Sequence, residues 1–217
     1  MTTTEHAAVS LDRRGSAAWI TLQRPQLMNA LSRDLLDQLN RAIDEIEGDQ
    51  TVRVVVLTGS GKAFCAGADL RGLTSPSGVI EPSDVSDFVA YASRTIEQLP
   101  ALRQPVICGI NGLALAGGLE LVLASDVVIA SSSARIGDAH SNYGLLPGAG
   151  ASVRLTRALG AHRAKYLAFT CDFFEPGSPV LNGLVNEIVE PDALDARLQE
   201  LADQLAAKSP RGLGAWV

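Results

Sequence analysis

The chain has 217 residues, of which 47% are hydrophobic and 19% charged, a balance that suits one folded domain and excludes a largely disordered chain. A net charge of -6 without a run of Lys or Arg argues against nucleic acid or an anionic membrane as a partner. The apolar runs are too short to span a bilayer, and residues 1–6 lack the features of a secretion signal, so we expect a cytoplasmic protein.

Strands and helices are predicted to alternate along the chain. Short apolar runs predict strands at 18–22, 52–57, 105–110 and 127–130. Apolar residues at helical spacing predict helices at 31–46, 85–99, 119–124, 149–159, 161–169 and 192–208, and Asn29 or Ser32 is expected to cap the first. Prolines and polar residues in 72–86 predict a mobile surface loop. The alternation predicts an α/β fold.

Several common motifs fail on inspection. Gly59-Ser60-Gly61 would need a third glycine at Phe64 to form a dinucleotide-binding turn, and no phosphate-binding loop or serine-hydrolase elbow occurs. The histidines and the three cysteines, Cys65, Cys108 and Cys171, lack metal-type spacing, so no metal is expected. The cysteines are expected to be small buried residues in a reducing compartment.

Glu120 is the one ionisable residue between Gly112 and Ala124. An exposed helix position is the ordinary environment of a glutamate, but a helix this apolar is usually buried, which predicts a desolvated carboxylate with a shifted pKa. Gly117 and Gly118 precede it, and the unpaired N-H groups at a helix start can hold an oxyanion. A second segment, 64–70, has small residues that either pack tightly or let the backbone approach a ligand.

Two long segments resemble motifs of the crotonase (enoyl-CoA hydratase/isomerase) superfamily. Residues 61–70 (GKAFCAGADL) resemble its first oxyanion and CoA segment, and residues 111–126 (NGLALAGGLELVLASD) resemble its second. Arg24-Pro25, Asn29-Ala30-Leu31, residues 136–150 and 183–185 also match in order. The resemblance implies a single crotonase-like domain over residues 1–217, a spiral of ββα units with its core at about 10–190 and a C-terminal helix at 191–208.

The resemblance also implies the chemistry. Family members hold an acyl-CoA thioester so that two backbone N-H groups, by position those of Ala68 and Gly117, bind the carbonyl oxygen, while Glu120 matches a catalytic glutamate. The implied activity is enoyl-CoA hydration, a lyase reaction of fatty acid metabolism, with no permanently bound cofactor and coenzyme A as part of the substrate. A homotrimer or a dimer of trimers is implied as well. The implied CoA contacts are Arg24, a possible phosphate partner, with Leu27, Ala66, Ala68, Asp69, Leu70 and Arg71.

The sequence departs from the family at two places. Hydratases of the family use a second glutamate, four residues before Gly144, where this chain has His140. His140 could replace that carboxylate as an acid-base group, orient Glu120 or water, or be a polar residue of an exposed loop; Asp138, Asn142 and Tyr143 are polar neighbours. The chain also stops at Val217, where relatives usually continue into further helices, so the helical C-terminal part is expected to be shortened.

These departures leave alternatives open. A reaction that needs one base, such as double-bond isomerisation or C-C hydrolysis, would use Glu120 alone. A non-catalytic acyl-CoA binding subunit is the alternative from another functional class.

Overall fold

The computed structural model describes residues 7–73 and 81–214, which form two β-sheets with helices packed around them. The larger sheet has six strands in the order β1-β2-β3-β5-β7-β9, and the smaller has three in the order β4-β6-β8. Among the paired strands of these two described sheets, only β1 and β2 are antiparallel. The strands are β1 (Val9–Arg14), β2 (Ala17–Leu22), β3 (Val54–Gly59), β4 (Ala63–Cys65), β5 (Val106–Ile110), β6 (Leu113–Leu115), β7 (Val127–Ser131), β8 (Arg135–Gly137) and β9 (Glu187–Val189).

The helices are α1 (Arg33–Gly48), α2 (Pro82–Ile96), α3 (Gly117–Leu123), α4 (Ala151–Leu159), α5 (Ala161–Thr170), α6 (Leu194–Ala206) and α7 (Pro210–Leu213). The first six helices lie close to the predicted positions, whereas α7 was not predicted. Ser32, one of the two expected caps, accepts a hydrogen bond from the N-H of Leu35 and begins α1. None of the helices in these described ranges is long and apolar enough to cross a membrane.

A unit of two strands and a helix repeats three times. β3 of the large sheet is followed by β4 of the small sheet and then by α2; β5, β6 and α3 form the second unit, and β7, β8 and α4 the third. Each unit adds one parallel strand to each sheet. The predicted α/β fold with ββα units is therefore confirmed.

The central strands are buried on both faces, as the apolar run at 52–57 predicted. One face packs with α1, α2 and α3 in the main core, while Val54 and Val56 on the other face pack in a cluster with Leu194 and Leu198 of α6. The fit under α6 is close: a Cβ added at Gly109 would lie 2.4 Å from Leu198 Cδ1. The C-terminal helix thus completes the second layer of the fold.

Asn29 joins three segments instead of capping α1. Its side chain is fully buried, accepts a hydrogen bond from the backbone of Arg24, and donates to the carbonyls of Ser60 and Ala63 at 2.9 and 2.8 Å. Its φ of 53° is in the left-handed region, which asparagine tolerates better than most residues. The loop before β4 is therefore held by the amide of Asn29, together with that of Asn111, which donates to the carbonyls of Gly61 and Ala63 at 3.0 and 3.2 Å.

Sequence reasoning missed the short strands. β4, β6, β8 and β9 have three residues each, too few to show a period, and β1 is largely polar and half exposed. Helix α2 begins at Pro82, inside the predicted 72–86 loop, because proline is favoured in the first turn of a helix. Residues 74–80 of that predicted loop lie outside the described residues.

Candidate active site

The small sheet brings the predicted catalytic groups together. Its parallel strands lie in the order β4-β6-β8, and each is closely followed by one group: Ala68 after β4, Gly117 after β6 and His140 after β8. The carboxyl ends of neighbouring parallel strands meet at one edge of a sheet, where ligands of α/β proteins commonly bind. These three residues and Glu120 all line one cavity.

The cavity wall is mainly apolar. Large apolar residues from the segment before α1, from α2 and from the segment after residue 144 enclose the polar groups. They are Leu31, Phe88, Val89, Ile96, Leu145 and Leu146. Such a lining suits an aliphatic chain, and it lowers the local dielectric constant around the carboxylate and imidazole.

The N-H groups of Ala68 and Gly117 are available to a ligand. Leu31 bonds on either side of Ala68, donating to the carbonyl of Gly67 at 2.7 Å and accepting from the N-H of Asp69 at 2.8 Å. Gly117 is the first residue of α3, where a backbone N-H has no partner within the helix. Within the described part of the chain neither N-H donates a hydrogen bond, so both are free to bind an oxyanion.

The two segments that carry these donors are pressed together. A Cβ added at Gly118 would lie 2.0 Å from the carbonyl oxygen of Cys65, and one at Gly117 would lie 2.8 Å from Leu31 Cδ1. Gly67 has a φ of +89°, and a Cβ there would meet Ala116 Cβ at 3.0 Å. Glycine at these positions is a packing requirement that fixes the spacing of the donors.

Ala116 was not predicted to matter, although it has the most unusual backbone at the site. Ala116 immediately precedes the first residue of α3 and has a φ of 48° and a ψ of -114°. This conformation is costly for a residue with a Cβ, on the order of 1–3 kcal/mol, and such strain is often found at functional sites. No sequence signal marks it, because a positive φ ordinarily predicts glycine or asparagine.

Glu120 is buried, as its apolar surroundings predicted. The residue is only 4% exposed, and its Oε1 accepts hydrogen bonds from the N-H groups of Ala149 and Ala151 at 2.7 and 3.3 Å. Burial raises the pKa of its carboxyl, and this outweighs the lowering by the Ala149 bond and the charge of His140. Because both bonds go to Oε1, Oε2 can exchange a proton with a ligand.

His140 is not in an exposed loop. Its side chain is only 11% exposed, and its Nδ1 lies 2.5 Å from Oδ1 of Asp138, which also accepts the backbone N-H of His140 at 2.9 Å. Burial alone would lower the pKa of His140, but the bond to Asp138 and the charges of Asp138 and Glu120 raise it overall. For Asp138, burial acts to raise the pKa, but the bonds and charge of His140 lower it overall. The pair therefore favours a carboxylate and an imidazolium.

Of the predicted CoA contacts, Ala66 and Leu70 line the cavity together with Ala68. Leu27 ends a short 3-10 turn and is half-buried, and it is not part of the cavity lining in the described structure. The N-H of Asp69 is bonded to Leu31, so its backbone cannot donate to a ligand. The roles of these residues in CoA binding stay predictions.

Arg24 and Arg71 are both paired with the carboxylate of Asp69. Arg24 donates to Oδ2 of Asp69 at 2.9 Å and to the carbonyl of Ala30 at 2.6 Å, while Arg71 approaches Oδ1 at 3.3 Å. Burial acts to raise the pKa of Asp69, but these arginines lower it overall. Arg71 is 71% exposed and can reach solvent anions, whereas the structure gives Arg24 a role in holding the loop. A phosphate contact by either side chain stays a prediction.

Comparisons with known proteins agree with the resemblance of the motifs. Residues 12–215 match the family model described as enoyl-CoA hydratase/isomerase. The chain is 36% identical to the short-chain-enoyl-CoA hydratase of Clostridium acetobutylicum over 203 residues, 93% of this chain and 76% of that protein. It is 42% identical to a putative enoyl-CoA hydratase/isomerase of Bacillus subtilis over 194 residues, 89% of this chain and 73% of that protein.

A solved structure extends this similarity to the fold. The crystal structure of an enoyl-CoA hydratase from Bacillus anthracis superimposes with a TM-score of 0.89 at 37% identity, covering 95% of this chain and 80% of that one. The crotonase-like form of the predicted α/β fold is therefore confirmed.

Proposed function

We propose, from the premise that this chain belongs to the enoyl-CoA hydratase/isomerase family, that it adds water to a 2-enoyl-CoA with Glu120 and His140 as the two proton-transfer groups. The chain is an acyl-CoA thioester enzyme of the enoyl-CoA hydratase type, and hydratases are lyases. Coenzyme A takes part as a portion of the substrate, and we propose no permanently bound cofactor.

The observation that carries the proposal is the convergence on one cavity. Two free N-H donors, at Ala68 and Gly117, line the same cavity as the carboxylate of Glu120 and the imidazole of His140. Preorganised donors of this kind contribute on the order of 3 kcal/mol each when negative charge develops on a carbonyl oxygen. Proton transfer by a positioned side chain typically adds about 10²- to 10⁴-fold in rate.

The reaction follows from these groups. Ala68 and Gly117 bind the thioester carbonyl oxygen, and the ionised carboxylate of Glu120 takes a proton from water as the water oxygen bonds to C3. The electrons of the C2–C3 double bond move toward the carbonyl oxygen and form an enolate. His140 then gives the proton on Nε2 to C2, which restores the carbonyl. The product is a 3-hydroxyacyl-CoA, and exchange with solvent returns a proton from Glu120 to His140.

Isomerisation is the second candidate, because one observation favours it. Among the described residues that line the cavity, Glu120 is the one carboxylate, and both of its hydrogen bonds go to Oε1, which leaves Oε2 for a ligand. A single base can take a proton from C2 of a 3-enoyl-CoA and return it to C4, through a dienolate whose oxygen is bound by the same two N-H groups. C-C hydrolysis would use the same base with water.

We propose short-chain substrates first, because the relative from Clostridium acetobutylicum is named for them. We also propose a homotrimer or dimer of trimers, since large apolar side chains are exposed around α5, with Tyr143 66%, Phe169 77% and Phe173 50% exposed. Sedimentation of the purified chain tests the oligomer.

The three cysteines are buried and free, which suits a reducing compartment, and we propose the cytoplasm.

The function is tested by supplying crotonyl-CoA and a 3-enoyl-CoA to the wild-type chain and to Glu120→Gln, and identifying the products. We expect 3-hydroxybutyryl-CoA from crotonyl-CoA, and a rate reduced by at least about 10²-fold in Glu120→Gln with acyl-CoA binding retained. An unchanged rate in Glu120→Gln would contradict both the hydratase and the isomerase. Tight binding of CoA esters without turnover would instead indicate the non-catalytic binding subunit.

A further inference from the structure

We propose that Asp138 positions His140 for the proton transfer at C2. By accepting a hydrogen bond from Nδ1-H of the imidazole, it leaves Nε2 as the atom that carries the mobile proton into the acyl cavity. The inference rests on the proposed hydration and assigns a role to a second carboxylate. Asp138 would act only through His140, as a positioning residue.

The geometry of the pair ties the imidazole and the backbone of His140 to the same carboxylate oxygen. A single oxygen of Asp138, Oδ1, accepts the backbone N-H of His140 at 2.9 Å and lies 2.5 Å from Nδ1 of the ring. The two bonds close a small loop between residues two positions apart, which leaves the ring little freedom. With Nδ1 bonded to the carboxylate, the ring's other nitrogen remains for the ligand.

The position of Asp138 is set by the small sheet. It is the first residue after β8, and Ile136 of that strand exchanges two backbone hydrogen bonds with Phe174, at 3.0 and 2.9 Å. The residue itself is only 3% exposed. A buried carboxylate at a strand end is a rigid support for the turn that follows it.

The charges around the imidazole are arranged for a cation. Asp138 faces it on one side, and Glu120 of α3 interacts with it electrostatically from another. Tyr143, in the same turn as His140, is the other titratable group among the described residues that line the cavity, while α2 and residues 145–149 contribute apolar side chains there. An imidazolium held between two carboxylates is a proton donor, and the neutral ring left after transfer can take the C2 proton back in the reverse reaction.

Asp138→Asn tests this role, because an asparagine oxygen can still accept both hydrogen bonds while the negative charge is lost. Asp49→Asn is a matched control on the protein surface. Oδ1 of Asp49 also accepts two hydrogen bonds from the residue two positions ahead, from the N-H and the hydroxyl of Thr51 at 2.8 and 2.6 Å. The full-length protein is used, with crotonyl-CoA as substrate.

For Asp138→Asn we expect kcat to fall on the order of 10²-fold with KM little changed. The alkaline limb of the pH profile should move to lower pH, because the imidazolium loses its partner. NMR titration of the His140 ring, identified by comparison with His140→Gln, should show a lower pKa in Asp138→Asn than in the wild type. Asp49→Asn should change none of these.

An active wild type whose kcat, pH profile and His140 titration are all unaffected by Asp138→Asn would overturn the inference alone. The proposed function fails in a different way, through a wild-type protein that hydrates no enoyl-CoA, and the inference would fail with it. A third outcome would also overturn the inference. If kcat falls only in proportion to the loss of folded protein, and the pKa of His140 in the folded fraction is unchanged, Asp138 has a merely structural role.

Discussion

Gly118→Ala should separate the two proposed oxyanion donors, the N-H groups of Ala68 and Gly117, without replacing either residue. The added Cβ would lie 2.0 Å from the carbonyl oxygen of Cys65, 2.8 Å from its carbonyl carbon and 2.9 Å from its Cβ. Since real Cβ contacts stay beyond 3.0 Å, the start of α3 must move away from β4 by about 1 Å. Gly117 carries one donor and would move with it.

The magnitude follows from what this displacement does to hydrogen bonding. A donor moved by about 1 Å from its acceptor loses most of a bond that contributes on the order of 3 kcal/mol in the transition state. We therefore expect kcat for crotonyl-CoA hydration to fall about 10²- to 10³-fold. Overpacking should also lower the free energy of unfolding by about 1–3 kcal/mol.

The assay follows the loss of enoyl thioester absorbance together with thermal unfolding of the same sample. Gly48→Ala is the matched control, because a Cβ added there meets nothing within 4 Å and Gly48 is at the end of α1. The control should keep full activity and the same or slightly higher stability. A folded Gly118→Ala protein with a rate within a few-fold of the wild type would refute the idea that this contact sets the spacing of the donors.

Three further perturbations test other parts of the site. The plot of kcat/KM for hydration against pH should be bell-shaped. The value should fall at low pH as Glu120, whose pKa is raised above 4.5, takes up a proton, and at high pH as His140, whose pKa is raised above 6.5, loses one. A flat profile would contradict these roles. His140→Ala should reduce hydration about 10²-fold while leaving any isomerisation by Glu120 largely intact, and equal hydration rates would show that His140 is not the acid-base partner. Asn29→Ala should lower the free energy of unfolding in urea by about 2 kcal/mol, because the N-H of Arg24 loses its acceptor and the carbonyl of Ser60 its donor, while the carbonyl of Ala63 keeps the bond from Asn111. A change within about 0.5 kcal/mol, roughly the size of a surface substitution, would contradict this.

Much of the fold could be predicted from the sequence because its long elements have strong patterns. The buried strand β3 and the amphipathic helix α1 are examples, and both lie within two residues of their predicted positions. The small sheet could not be predicted, since three-residue strands show no periodicity. Because that sheet brings the site residues together, their proximity could not be predicted from the pattern of the chain alone. It was indicated by the resemblance of two motifs, in the expected order, to those of the crotonase family.

Four predicted site residues, Ala68, Gly117, Glu120 and His140, line one cavity, but their interactions were not predicted. Burial of Glu120 followed from the apolar helix around it, as predicted. The bond between His140 and Asp138 could not be read from their spacing, because residues two apart meet only when the backbone turns sharply between them. The strained backbone of Ala116 likewise has no counterpart in the residue type.

The central claim is that water adds across the double bond of an enoyl-CoA at Glu120 and His140. Incubating crotonyl-CoA with the wild-type chain in deuterium oxide containing heavy-oxygen water, followed by mass spectrometry and NMR of the product, tests it most directly. The account predicts 3-hydroxybutyryl-CoA with heavy oxygen at C3 and one deuterium at C2. Recovery of crotonyl-CoA without either label, or heavy oxygen in the carboxylate of a released acid, would contradict it.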